Sequence, residues 1–160
     1  MNAKTLRGFF VGEVTVETLA MELRDTWQEN EGDSVTLLWN DLEGEYPVSV
    51  TDLVKLCDAV LSGAIDPDGL EAIGFGMVAT KHFKWNTDTL EGERIADTLN
   101  EWSAPEVNYR LDRSTVSKFR QRLLTGEDTF GKDDFWSAKN HVGPVRNPKR
   151  WTEQDVSRKT

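Results

Sequence analysis

Chemistry that needs a nucleophile, a general base or a soft metal ligand has few places to start in this chain. Its 160 residues include one cysteine, Cys57, and two histidines, His82 and His141. No HExxH, paired CxxC or other zinc-ligand spacing occurs. Cys57 and His82 would form a thiol–imidazole dyad only if the fold brought them together. Cys57 falls on the apolar face of a helical pattern, where cysteine behaves as a small hydrophobe. His82 falls at the end of another helical pattern, where the helix dipole favours a cation. Both are therefore expected to be structural.

Carboxylates are plentiful, and Asp66 with Asp68 or Glu91 with Glu93 are the pairs that a hydrolase or a divalent cation would use. Asp66-Pro67-Asp68-Gly69 lacks the further ligands, the sixth-position glycine and the closing glutamate of a calcium loop. Helix capping by aspartate, with proline in the first turn, accounts for it better. Gly74-Phe75-Gly76 lacks a third glycine and sits inside a helical pattern instead of opening one, which argues against phosphate cradling. No catalytic residue, cofactor site or metal site is assigned, and the chain reads as a non-enzyme.

Residues 29–46 stand out instead. Glu29, Glu31, Asp33, Asp41, Glu43 and Glu45 follow Asp25 with no Lys or Arg after Arg24, interleaved with Trp39 and Tyr46. A solvated loop tolerates such charge. A recognition surface uses it, because charge steers encounter and aromatic side chains hold the complex. Glu31, Asp33, Trp39, Asp41, Glu43, Glu45 and Tyr46 are therefore the candidate partner-binding residues. A similar mixture of Trp85, Asp88, Glu91, Glu93, Asp97, Glu101 and Trp102 lies further on. The wider charge distribution agrees: residues 1–108 carry 21 Asp and Glu against 7 Lys and Arg, whereas residues 109–160 carry 7 against 12. An acidic body repels nucleic acid and anionic membrane and attracts basic partners.

The elements that must position these residues are mostly helices. Apolar spacing of three and four predicts them from Thr15 to Gly32, with Trp27 the last apolar residue of the stripe, and at Thr51 to Ser62, Asp66 to His82, Thr89 to Trp102 and Arg113 to Leu124, with Asp112 as a cap and Gly126 as a stop. Val35, Leu37 and Trp39 alternate with Thr36, Leu38 and Asn40, which predicts a short extended segment. Gly69, Gly74 and Gly76 within one helical pattern point to close helix packing. Trp27, Leu56, Val60, Ile73, Leu99, Trp102, Phe119 and Leu123 are expected in the core. The fold class is mainly α: a bundle-like acidic domain over residues 1–125 with at most a minor β element. A basic extension rich in Gly, Pro and Asn follows at 126–160. Its Arg146, Lys149, Arg150, Arg158 and Lys159, beside Trp136 and Trp151, would either meet a partner or fold back on the body. One cysteine excludes an internal disulfide and fits a reducing cytoplasm. The N-terminus lacks a signal-peptide pattern, and no apolar run is long enough for a membrane span.

Two corners echo each other. In Gly12-Glu13-Val14-Thr15 with Leu19, and in Gly63-Ala64-Ile65-Asp66 with Leu70, glycine closes one helix. A β-branched residue then precedes a Thr or Asp cap, and leucine completes a hydrophobic staple. With Phe10-Val11 and Leu61-Ser62 before them, these corners resemble those of small acidic bacterial immunity proteins of the colicin D type. That resemblance implies a helical cytoplasmic inhibitor that neutralises a basic nuclease toxin by covering its active site. Residues 102–109 and the basic extension fall outside it, so no binding residue is carried over. The leading expectation is a non-enzymatic protein that binds and neutralises a basic protein, an immunity-type toxin inhibitor. The alternatives are an acidic nucleic-acid mimic, such as a phage-type inhibitor of a DNA-handling complex, and then an enzyme built from carboxylates that only folding assembles.

Overall fold

The computed structural model describes residues 1–31 and 35–136, and over them the chain is mainly helical. The helices are α1 (Ala3–Val11), α2 (Val16–Arg24), α3 (Val50–Leu61), α4 (Gly69–Ala79), α5 (Leu90–Ser103) and α6 (Arg113–Thr125). Two small sheets accompany them: β1 (Trp27–Glu29) pairs antiparallel with β2 (Val35–Leu37), and β3 (Tyr46–Pro47) pairs parallel with β4 (Phe83–Lys84). None of the described helices is long and apolar enough to cross a membrane.

Local signals set most boundaries. At the first corner Gly12 takes φ 82°, its N–H closes onto the Gly8 and Phe9 carbonyls, and the Thr15 side chain accepts from the Thr18 N–H to open α2. α1 is the helix that this corner implies, although the five periodic segments do not include it. Its Leu6 and Phe10, one turn apart, are buried. The Ser49 hydroxyl and the Asp52 carboxylate form a reciprocal capping box at the start of α3. Asp112 and Thr115 do the same for α6, which ends at Gly126 with φ 78°.

The second corner departs from its echo. Gly63 ends α3 with φ 85°, but Asp66 does not cap a helix. Pro67 and Asp68 form a turn in which the Gly69 N–H donates to the Asp66 carbonyl, and α4 begins only at Gly69. Asp68 holds the cap position with helical angles (φ −59°, ψ −24°) and makes no side-chain cap bond, because capping geometry requires extended backbone there. The far end of this helix also differs. Thr80 turns to extended backbone, so His82 lies beyond α4 and immediately before β4, away from the helix dipole.

α4 packs against α5 and α3 against α6, around a core that includes Leu56, Val60, Ile73, Leu99, Trp102, Phe119 and Leu123, all buried as expected. Burying side chains of this size stabilises by about 1.5–3 kcal/mol each. Trp27 is only half-buried, because α2 stops at Arg24 and the tryptophan opens β1 instead of closing a helical stripe. The glycines of α4 do permit close packing. A Cβ at Gly74 would lie 2.8 Å from the Trp102 Cβ and 3.0 Å from the Leu99 carbonyl oxygen, so α5 approaches the bare backbone.

Residues 126–136 return across α6. Phe130 stacks on Tyr109 with centroids 4.0 Å apart and tilts against Phe119 at 4.7 Å, and the Arg122 guanidinium sits 5.3 Å from both the Phe119 and Phe130 rings. Lys118 Nζ donates to Asp134 Oδ2 at 2.6 Å, and the Gly131 N–H reaches the same oxygen at 2.7 Å. The helical body thus continues past residue 125 as packed structure. Arg146, Lys149, Arg150, Trp151, Arg158, Lys159 and His141 lie outside the described residues.

A candidate acidic interaction surface

The described residues singled out between Glu31 and Tyr46 are divided among the β1–β2 hairpin, the loop that follows it and β3. β1 and β2 make a hairpin whose turn end carries the exposed Glu31. The chain then leaves β2 at the opposite end, where the Asn40 N–H donates to the Met1 carbonyl and the Ala3 N–H to the Asn40 carbonyl. The loop 41–45 follows, held at its far side by β3. Asp33 lies outside the described residues.

Within that loop Asp41, Glu43 and Glu45 are exposed, while Leu42 packs on the core. Asp41 Oδ1 accepts from the Leu42 N–H at 2.8 Å. Gly44 bends the chain between the two glutamates with φ 82°, a left-handed conformation that a Cβ would strain. Among the described residues no Lys or Arg forms an ion pair with these three carboxylates. Lys84, exposed in β4 opposite Pro47, is the basic residue placed at the β3 end by the strand register.

The two aromatic residues are engaged by the fold. Trp39 is half-buried over Gly76 of α4, and its Nε1 is enclosed. Tyr46 is half-buried as well: it stacks on Phe10 at 6.0 Å and on His82 at 6.4 Å, with the Arg7 guanidinium 5.8 Å from its ring centroid. Its hydroxyl donates to Asp52 Oδ2 at 3.1 Å. Burial, and then the negative charge of Asp52, push the phenol up to about 12. Neither ring is therefore presented as a free anchor. Among the described residues of this stretch the exposed apolar side chain is Leu38, on the face that the sequence alternation places opposite Leu37.

The second acidic mixture is divided between structural jobs. Glu91 Oε1 accepts from the Val50 N–H at 3.1 Å, placing a carboxylate on the N-terminus of α3. Glu101 accepts from the Arg122 guanidinium, which also donates to the Thr98 hydroxyl. Burial pushes the Glu101 carboxyl up, and Arg122 partly offsets that. Trp102 is fully buried, whereas Asp88, Glu93 and Asp97 are exposed.

The thiol and the imidazole are each accounted for locally. Cys57 is fully buried on α3, and burial, followed by the charge of Asp58, pushes its thiol up to about 12. His82 is fully buried with Nδ1 2.9 Å from the Gly44 carbonyl oxygen. A carbonyl only accepts, so Nδ1 carries the hydrogen. Sequence reasoning missed this contact with the acidic loop, because nothing local to His82 signals Gly44. Among the described residues no group of three or more His, Cys, Asp or Glu is placed to hold a metal ion. No family model, curated protein or solved structure matches this chain.

Proposed function

We propose that this chain binds a basic protein through the carboxylates of the 41–45 loop and neutralises it, as an immunity-type inhibitor does a bacterial toxin. One observation carries the reading. The ion pairs of the described residues take all their cations from Arg110, Lys118, Arg120 and Arg122, whereas exposed Asp41, Glu43 and Glu45 have no cation paired to them. Charge left uncompensated by the described residues is available to a partner of opposite sign, and it acts first on the rate of encounter. The placement of Trp39 and Tyr46 shifts the expected apolar contact to Leu38. Glu31, at the other end of the hairpin, contributes to the field more than to the contact.

Affinity capture with the native chain, followed by binding kinetics on the purified captured protein, tests this. The Asp41→Lys, Glu43→Lys, Glu45→Lys triple variant is expected to lower the association rate about tenfold or more. Raising salt from about 0.05 to about 0.3 M should slow the wild type in the same direction. The captured protein should also lose its own activity when bound. An association rate that ignores both salt and charge reversal removes the loop from the mechanism.

A further inference from the structure

We propose that His82 is the positioning residue that fixes the shape of the 41–45 loop in the free protein, so that its carboxylates meet a partner already arranged. The inference rests on reading that loop as partner-facing. Three carboxylates within five residues repel one another, and Gly44, between Glu43 and Glu45, has the widest conformational freedom of any residue type. Left to itself, such a loop samples many shapes. His82 grips it at two points: the ring Nδ1–H donates to the Gly44 carbonyl at 2.9 Å, and the His82 carbonyl accepts from the Tyr46 N–H at 2.7 Å.

The grip is itself rigid. The imidazole is fully buried, with the Tyr46 ring stacked on one side (6.4 Å, 20°) and the Phe83 ring edge-on at 5.0 Å and 79°. β4 continues the hold, since the Val48 N–H donates to the Lys84 carbonyl at 2.8 Å. The side-chain bond to Gly44 is the only one of these contacts that reaches back into the loop ahead of Tyr46. It selects one orientation of the Gly44 peptide, and with it the directions in which Glu43 and Glu45 leave the backbone. Ordering the loop before binding lowers the entropy lost on binding, which is how preorganisation raises affinity.

Backbone 15N relaxation on the full chain reads this directly, comparing His82→Phe, which removes the donor, with His82→Asn, whose amide nitrogen sits at the position of Nδ1. Order parameters at the Gly44 and Glu45 amides should be about 0.85 in the wild type, fall below about 0.6 in His82→Phe and stay near the wild-type value in His82→Asn. Amides of α3 and α5 should not change in either variant. Retained loop order in a folded His82→Phe protein overturns the proposal, as does loss of order in His82→Asn, which keeps the donor and removes only the ring. If His82→Phe fails to fold, His82→Asn decides alone: order kept supports the donor and order lost overturns it. No partner enters this measurement. A negative result thus removes the pin while charge steering stands, and a failure of charge reversal leaves the pin intact.

Discussion

The Trp39 indole occupies the space that a side chain would need at Gly76: a Cβ placed there would overlap the ring. α4 gives up helix propensity at that point to seat an indole from outside the helix. Gly76→Ala gains about 1 kcal/mol of propensity and must displace the ring, with overpacking costs of about 1–3 kcal/mol. We expect a net loss, read as a lower urea midpoint together with a shift in tryptophan emission. A raised midpoint would mean that the indole moves aside freely.

Gly74→Ala should be the more damaging change. Its Cβ would meet Trp102 Cβ and main-chain atoms of α5, the Leu99 carbonyl oxygen and the Ser103 nitrogen at 3.0 Å each, and backbone does not rotate out of the way. The expected loss is at least about 2 kcal/mol, by separation of α4 from α5. Equal midpoints for the two alanine variants would contradict this ranking.

Asp134 ties the returning segment to α6, and its titration has a definite sign. Burial by itself would raise its carboxyl, but Lys118, the Gly131 N–H and Arg110 outweigh burial and hold it below its ordinary value of 3.8. A carboxyl lowered in the folded state contributes stability that is present above the unfolded value and lost as pH falls through the folded one. Asp134→Asn should therefore cost about 2 kcal/mol near neutral pH, with the gap to the wild type closing below about pH 3.8. Melting curves of both proteins between about pH 2 and pH 6 give the comparison. A gap that does not narrow in acid would show that charge is not what holds the segment.

Cys57 should resist thiol reagents at mildly alkaline pH until the protein is denatured, because it is fully buried and its thiol is raised to about 12. Cys57→Ala should lose about 1 kcal/mol and leave partner capture intact. Labelling of the native protein, or abolished capture by a folded Cys57→Ala chain, would reopen a chemical role for this residue.

What the sequence made legible is what short-range periodicity encodes. Leu53, Leu56, Cys57 and Val60 mark α3, Ile95, Leu99 and Trp102 mark α5, and Asp112 and Gly126 bracket α6 where the structure has them. The β3–β4 pair was illegible because two strands of two residues each have no pattern of their own; tertiary context alone brings Tyr46 beside Phe83. Asp66 misled because residue type signals a cap, whereas capping depends on backbone angles set by the Pro67 turn. The candidate surface was legible as charge and not as geometry. Composition placed aromatic residues among the carboxylates, but their availability depended on Gly76, Asp52 and His82, all contributed by later elements.

The packing of α3 on α6 has a consequence for synthesis. Asp58 of α3 accepts from Arg120 at 2.7 Å and the Val60 carbonyl from Arg113 at 3.5 Å, yet α4 and α5 are translated between the two helices. Translation at about 5–20 residues per second leaves α3 without this partner for an interval on the order of seconds. The α4–α5 pair, adjacent in sequence, can close during that interval, whereas α3 must wait. A neighbouring nascent chain's α6 presents the same complementary face, so crowded or stalled translation should favour copies that exchange this helix over chains that close on themselves.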